Sequence, residues 1–146
     1  MLPEFNQIGN LPAGIHLATW EEFVDRFGWN EHRRRLLRGM RTALKALQFA
    51  GCRKVYIDGS FVSAKEAPND YDGCWDMEGV DPLRLDPILL QFDYKRAAQK
   101  TKYLGELFPA EDVELSSGVV FLELFQIDKA TGEPKGIILF DLEDFQ

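Results

Sequence analysis

The sequence has little of what marks most specialised proteins. Its 146 residues hold two cysteines, Cys52 and Cys74, and two histidines, His16 and His32. Two cysteines cannot form a disulfide framework, and neither residue type stands at metal-ligand spacing. Both thiols are expected to be free and buried in a reducing compartment, and the histidines to be surface or capping residues. No apolar run approaches the roughly 20 residues that cross a bilayer. The opening "MLPEFNQIGN" has no basic region leading into an apolar one, as a signal peptide would. The expected location is therefore cytoplasmic. No G-x-G-x-x-G or Walker sequence occurs, and "LRGM" is not a phosphate loop. Basic charge is also short: 17 Lys and Arg against 24 Asp and Glu leave a net charge of −7, which excludes a simple basic nucleic-acid binder.

What is there describes an ordinary folded domain, with 45% hydrophobic and 28% charged residues and a length suited to one core. Residues 1–18, with Pro3, Pro12 and several Gly and Asn, read as an extended arm, and 19–146 as a single domain. Thr19 and Glu22 predict a capping box and a short helix from Trp20 to Phe27. Asn30 caps a longer helix from Glu31 to about Ala50, with Leu36, Leu37, Met40, Ala43, Leu44 and Leu47 facing the core and Gly51 ending it. "KVYID" predicts a strand, the segment after Gly59 a helical turn or short helix, and "DYDGCW" a further strand. Pro87 suits the first position of a helix, and "DYKRAAQKTKYLGEL" predicts another helix, capped by Asp93. "GVVFLELFQID" and "GIILFDL" read as two strands joined by the turn-rich "KATGEPK". The fold class is α+β, a mixed sheet flanked by helices.

Chemistry concentrates in "YIDGSFVSAKEAPNDYDGCWD". On a strand, residues i and i+2 share a face, so Asp70 and Asp72 present two carboxylates side by side. Such a pair repels itself unless something positive joins it. A hard divalent cation, Mg²⁺ or Mn²⁺, resolves the conflict, and Mg²⁺ held by two carboxylates implies a phosphorylated ligand. Gly59 and Ser60 supply the phosphate side, where backbone N–H groups and a hydroxyl can approach an anion.

The order strand, Gly-Ser, nine residues, Asp-x-Asp and strand resembles the signature of the nucleotidyltransferase superfamily related to DNA polymerase β. The stretches "HLATWEEFVDRFGWNEHRRRLL", "YIDGSFVSAKEAPNDYDGCWD", "RAAQK" and "FLELFQIDKATGEPKGI" also resemble a small bacterial family of nucleotidyltransferase-like domains, and that similarity covers nearly the whole chain. The resemblance implies a minimal nucleotidyltransferase-like fold and metal-assisted transfer of a nucleoside monophosphate from an NTP to a hydroxyl of a protein, RNA or small molecule. It also implies a third acid, on a later strand beside the first two, completing a two-metal site.

For that third acid Glu123 is favoured, because a lone Glu inside the apolar "VVFLELF" is costly to bury without a cation or partner. Glu114 and Asp128 are the alternatives. The expected catalytic and metal set is Asp70, Asp72 and Glu123, and the phosphate set Gly59, Ser60 and Lys65, with Lys65 equally readable as a solvated loop residue. Asp58 and Asp76 flank the motif as supporting or surface acids. Arg34, Arg38 and Arg41 share one helical face, either gripping an RNA acceptor or an acidic partner or forming a solvated face paired with local acids. The small size and this stripe leave a second function open: a weakly active or inactive interaction module, such as a toxin–antitoxin or phage-defence component.

Overall fold

Two capped helices brace one side of a five-stranded sheet, and this asymmetry positions everything else. The computed structural model describes residues 2–146. Helix α1 (Trp20–Phe27) starts on the expected capping box, in which Thr19 and Glu22 satisfy each other's backbone N–H groups. Helix α2 (Glu31–Phe49) starts at Asn30, whose side chain accepts the N–H of Arg33. The strands are β1 (Gly14–Leu17), β2 (Lys54–Asp58), β3 (Tyr71–Trp75), β4 (Gly105–Pro109) and β7 (Gly136–Asp141), in the spatial order β1-β7-β2-β3-β4. Strands β1 and β7 run parallel, as do β3 and β4, whereas β7–β2 and β2–β3 are antiparallel. A second sheet pairs β5 (Val113–Glu114) with β6 (Val119–Val120). The fold is α+β, with a mixed sheet and flanking helices. Among the described residues no helix is long and apolar enough to cross a membrane.

The sheet alternates as pleating requires. On one face Val55, Ile57, Tyr71, Trp75, Leu107, Ile138 and Phe140 pack against α1 and α2. The six core positions expected on α2 are all buried, and each large one contributes about 1.5–3 kcal/mol. Helix α2 approaches helix α3 (Asp93–Tyr103) closely because position 39 is Gly. A Cβ there would stand 2.3 Å from the Tyr103 carbonyl oxygen. The other face carries a smaller apolar cluster around Tyr56, Cys74, Ile137 and Phe125, and the site described below.

Four expectations need correction. The arm is extended, but Gly14–Leu17 completes the edge of the sheet and Leu11 is buried, so it is built into the domain; Met1 lies outside the described residues. The helix expected through "YLGEL" stops at Tyr103, where Leu104 turns left-handed and Gly105 begins β4. The strand expected through "GVVFLELFQID" is only the two residues of β6, followed by the one-turn helix α4 (Phe121–Leu124). Finally, the hairpin expected across "KATGEPK" shrinks to a single antiparallel bridge between Ile127 and Pro134, and β7 itself inserts between β1 and β2.

The turn after β2 is held from beneath by Arg33, which is completely buried. Its guanidinium donates to the carbonyls of Phe27, Ser60, Phe61, Ser63 and Lys65, at 2.6–3.4 Å. It lies 3.7 Å from the centroid of the Trp29 ring and 4.8 Å from that of Phe61. Burial pulls its pKa down to about 10, which leaves it charged at neutral pH. Removing it takes away this partner from the carbonyls of Phe27, Phe61, Ser63 and Lys65, while that of Ser60 keeps the Ser63 hydroxyl. Arg33→Leu is expected to cost more than about 3 kcal/mol. Arg33→Lys, a point charge replacing a fork of five donors, should cost roughly 2 kcal/mol. Urea unfolding measures both, and midpoints equal to wild type would remove Arg33 from this role.

Candidate active site

The open face of the sheet carries a row of acids. Asp58 ends β2 and stands directly across from Asp72 on β3, and Asp72 is in register with Glu106 on β4. Three carboxylates thus occupy neighbouring strands at one level, and Asp70 precedes Asp72 by one pleat. Like charges directly opposite each other across strands are destabilising. The row survives by burial-driven protonation and by internal cations.

Asp72 shows the first effect. Burial, then the charges of Asp70, Glu106 and Asp58 and a hydrogen bond with Glu106, push its pKa up to about 8. Asp70 is raised by burial and by the charge of Glu106, against the opposing charges of Lys100, Arg96 and Lys65. Cations compensate the two ends of the row. Burial alone would raise Glu106, but Lys100 at 2.9 Å and Arg96 at 3.0 Å outweigh it and hold its carboxyl below the ordinary value. Burial also raises Asp58, opposed by Lys135, whose Nζ lies 3.1 Å from Oδ1. The buried oxygen is thus charge-compensated by the lysine.

Gly59 lets the row form beside the turn. Its φ is +79°, in the left-handed region, and a Cβ would stand 2.7 Å from Oδ2 of Asp72. The next residues, Phe61 and Val62, are buried in the helix-side core, which leaves Gly59 and the exposed Ser60 on the wall of a cavity of about 1240 Å³ shared with all four acids. That exceeds the roughly 300–1,000 Å³ of a small-molecule pocket. The expected helix after Gly59 is a single 3₁₀ turn, Gly59–Val62. Positive charge at the site therefore comes from side chains, those of Arg96, Lys100, Lys129 and Lys135.

The structure brings Asp70, Asp72, Gly59 and Ser60 together and leaves Glu123 outside. Glu123 sits exposed on α4, because the apolar run around it coils into a helical turn and places Phe121, Leu124 and Phe125 against the cavity instead. Glu114 borders the cavity, but hydrogen bonds from Ser116 and Ser117 tie it to its own turn and lower its pKa to about 2. Asp128 also borders it and accepts from Asn10 at 2.5 Å. Lys65 is exposed, and its carbonyl is bound by Arg33. The Arg34 and Arg38 side chains pair with Glu31, and Arg41 donates to the carbonyl of Gln146, so the stripe is exposed and locally paired. Both cysteines are free and buried, with burial pushing Cys52 up to about 12.

Sequence reasoning missed Glu106, Arg96 and Lys100. Arg96 follows Tyr94 and Lys95 in three successive left-handed residues, with φ of 53°, 57° and 61°. Each such non-glycine residue costs about 1–2 kcal/mol, and the turn aims Arg96 at Glu106. Strain of this kind collects at functional sites.

The donor set is chemically right for a hard divalent ion: hard oxygens, low dielectric, and a proton on Asp72 that an ion could replace. Among the described residues no three acidic, cysteine or histidine side chains enclose an ion as they stand; Glu106 and Asp58 are engaged by basic side chains. The chain matches the family of unknown function DUF6932 over residues 3–141 and belongs to that family. No curated protein and no solved structure matches it.

A raised acid pKa has a definite stability signature. Asp72 binds its proton more tightly when folded, so it reduces stability progressively as pH rises from about 4, the unfolded value, towards about 8. Asp72→Asn is therefore expected to raise Tm at pH 8 by roughly 3–8 °C, on the order of 1–2 kcal/mol, and by little at pH 4. Thermal melts across this range test it. A variant less stable than wild type at pH 8 would refute the assignment.

Proposed function

We propose that this family member binds a nucleoside triphosphate with Mg²⁺ or Mn²⁺ and transfers the nucleoside monophosphate to a hydroxyl of a protein, RNA or small molecule, in the manner of the nucleotidyltransferases its Gly-Ser and Asp-x-Asp motifs resemble. The observation that carries the reading is the register Asp58–Asp72–Glu106, with Asp70 one pleat away and Gly59 under Asp72. A protein that keeps four carboxylates crowded on one face gives up stability there, as functional sites do. Glu106, on a later strand beside Asp72, takes the position of the third acid in this reading.

In the transfer, the acceptor oxygen attacks the α-phosphorus and the bond from that phosphorus to the α–β bridging oxygen breaks. Pyrophosphate leaves with the bridging oxygen, and the acceptor's proton passes to a carboxylate of the row and then to water. A divalent ion held by Asp70, Asp72 and Glu106 would ease acceptor deprotonation and offset the charge growing on the leaving group. Arg96 and Lys100, exchanged off Glu106 by that ion, would be free for the phosphates. Asp58, buried and compensated by Lys135, closes the far end of the row. Two buried free thiols and a requirement for NTP suit the cytoplasm.

A second reading has its own observation. Lys135, Arg96 and Lys100 already balance much of the acidic charge, as suits a fold kept as an interaction module, for example a toxin–antitoxin or phage-defence component. Transfer of label from radiolabelled NTP to a target by the isolated protein would dismiss it.

Calorimetry and thermal shift with ATP and Mn²⁺ test the main reading. Saturation at 100 times Kd should stabilise wild type by about 2.7 kcal/mol. Asp70→Ala, Asp72→Ala and Glu106→Ala should each abolish the metal-dependent part. Metal-independent binding, or Asp70→Ala and Asp72→Ala matching wild type, would overturn it.

A further inference from the structure

The cavity has a second wall of different character. Phe92, Phe108 and Phe121 all border it, and they form a ladder of nearly parallel rings. Phe92 and Phe108 lie 5.6 Å apart between centroids at 16°, and Phe108 and Phe121 lie 4.3 Å apart at 9°. Phe108 follows Glu106 on β4 by two residues, so its ring stands on the same face as the acid row, ~7 Å further along the strand. Arg96 bridges the two regions, pairing with Glu106 while its guanidinium carbon lies 5.7 Å from the centroid of the Phe108 ring.

The inner rings have a structural reason to be there: Phe108 and Phe121 pack against the smaller apolar cluster. Phe92 does not share it. It belongs to neither apolar cluster of the described residues and is 37% exposed, yet its ring is aligned with Phe108. An aromatic residue that leaves one face open, at the mouth of a cavity floored by charge, is a platform for a flat apolar group attached to an anionic one.

We infer that this ladder is the base-stacking wall of the site, and that the nucleobase of a nucleoside triphosphate lies on the open face of Phe92 while its phosphates face Arg96, Lys100 and the acid row. The inference rests on the triphosphate reading above and adds to it where the base goes and which residue holds it. Stacking on an aromatic ring suits any base, since each has a π-face. Val113, Leu115 and Leu124 line the same cavity and add apolar surface to it.

Competition between ATP and inorganic tripolyphosphate, both with Mn²⁺, separates the base from the phosphates. Wild type is expected to bind ATP roughly 5- to 100-fold more tightly than tripolyphosphate. Phe92→Leu, which keeps an apolar side chain at an exposed position and should leave Tm unchanged, is expected to remove most of that difference with tripolyphosphate affinity intact. Equal affinities in wild type, or ATP binding by Phe92→Leu at the wild-type level, overturns the stacking wall and leaves the triphosphate site standing. If neither ligand binds, the triphosphate reading itself fails and takes the wall with it.

Discussion

The structure depends on one buried cation. Arg33 draws together carbonyls from the end of α1 and from the Ser60–Lys65 segment, elements far apart in sequence. Carbonyl dipoles aimed at a guanidinium give charge-assisted hydrogen bonds, roughly twice as strong as neutral ones. Because the segment's carbonyls are turned inward and Phe61 is sunk among Phe23 and Phe27, Gly59 and Ser60 have one place left to go, the opposite side of the sheet. The buried arginine and the exposed acid row are two ends of one constraint: the first fixes the turn, and the turn fixes the cavity wall.

The acid row runs against stability. Asp58, Asp72 and Glu106 could be relieved by substituting any of them, and the protein instead supplies Lys135, Lys100 and Arg96 around them. Arg96 is delivered by a left-handed turn that is itself unfavourable. Two local costs meeting at one carboxylate depart from the consistency that is otherwise the rule.

Sequence patterns made the scaffold legible where local chemistry and tertiary packing agree. The caps at Thr19 and Asn30, the α2 stripe, β2, the Gly59 turn, β3 and β7 all follow from side-chain periodicity and backbone preference. Failures came where tertiary context overrode both. "YLGEL" continues a helical pattern, but Gly105 faces the Tyr71 ring so closely that no side chain would fit, and β3 recruits the segment as β4. That step hid Glu106, since an acid at the end of an apparent helix has no reason to face Asp72. Glu123 failed for the converse reason: aromatic spacing in "VVFLELF" satisfies a helical turn as well as a strand, and in the turn that forms Phe121 stacks on Phe108. Arg33 was concealed within three successive arginines, where only the fold distinguishes the buried one from its exposed neighbours Arg34 and Arg35. Of the site, the Gly-Ser turn and the Asp-x-Asp pair were legible because they are local; the third acid and the cations were not, because register alone brings them together.

The division of the sheet explains why register carries so much. One face is committed to α1 and α2, so its apolar positions lock β2, β3 and β4 against slippage; a shift of one residue would turn Ile57, Tyr71 and Leu107 out of the core. The same lock sets the level at which Asp58, Asp72 and Glu106 meet on the other face, and two residues further along β4 it sets Phe108 beside them. Packing on the closed face thus does the positioning for the open one. The open face is free to hold groups that would never assemble for stability alone: crowded acids, the basic side chains that temper them, and an aromatic ladder whose outermost ring no core requires.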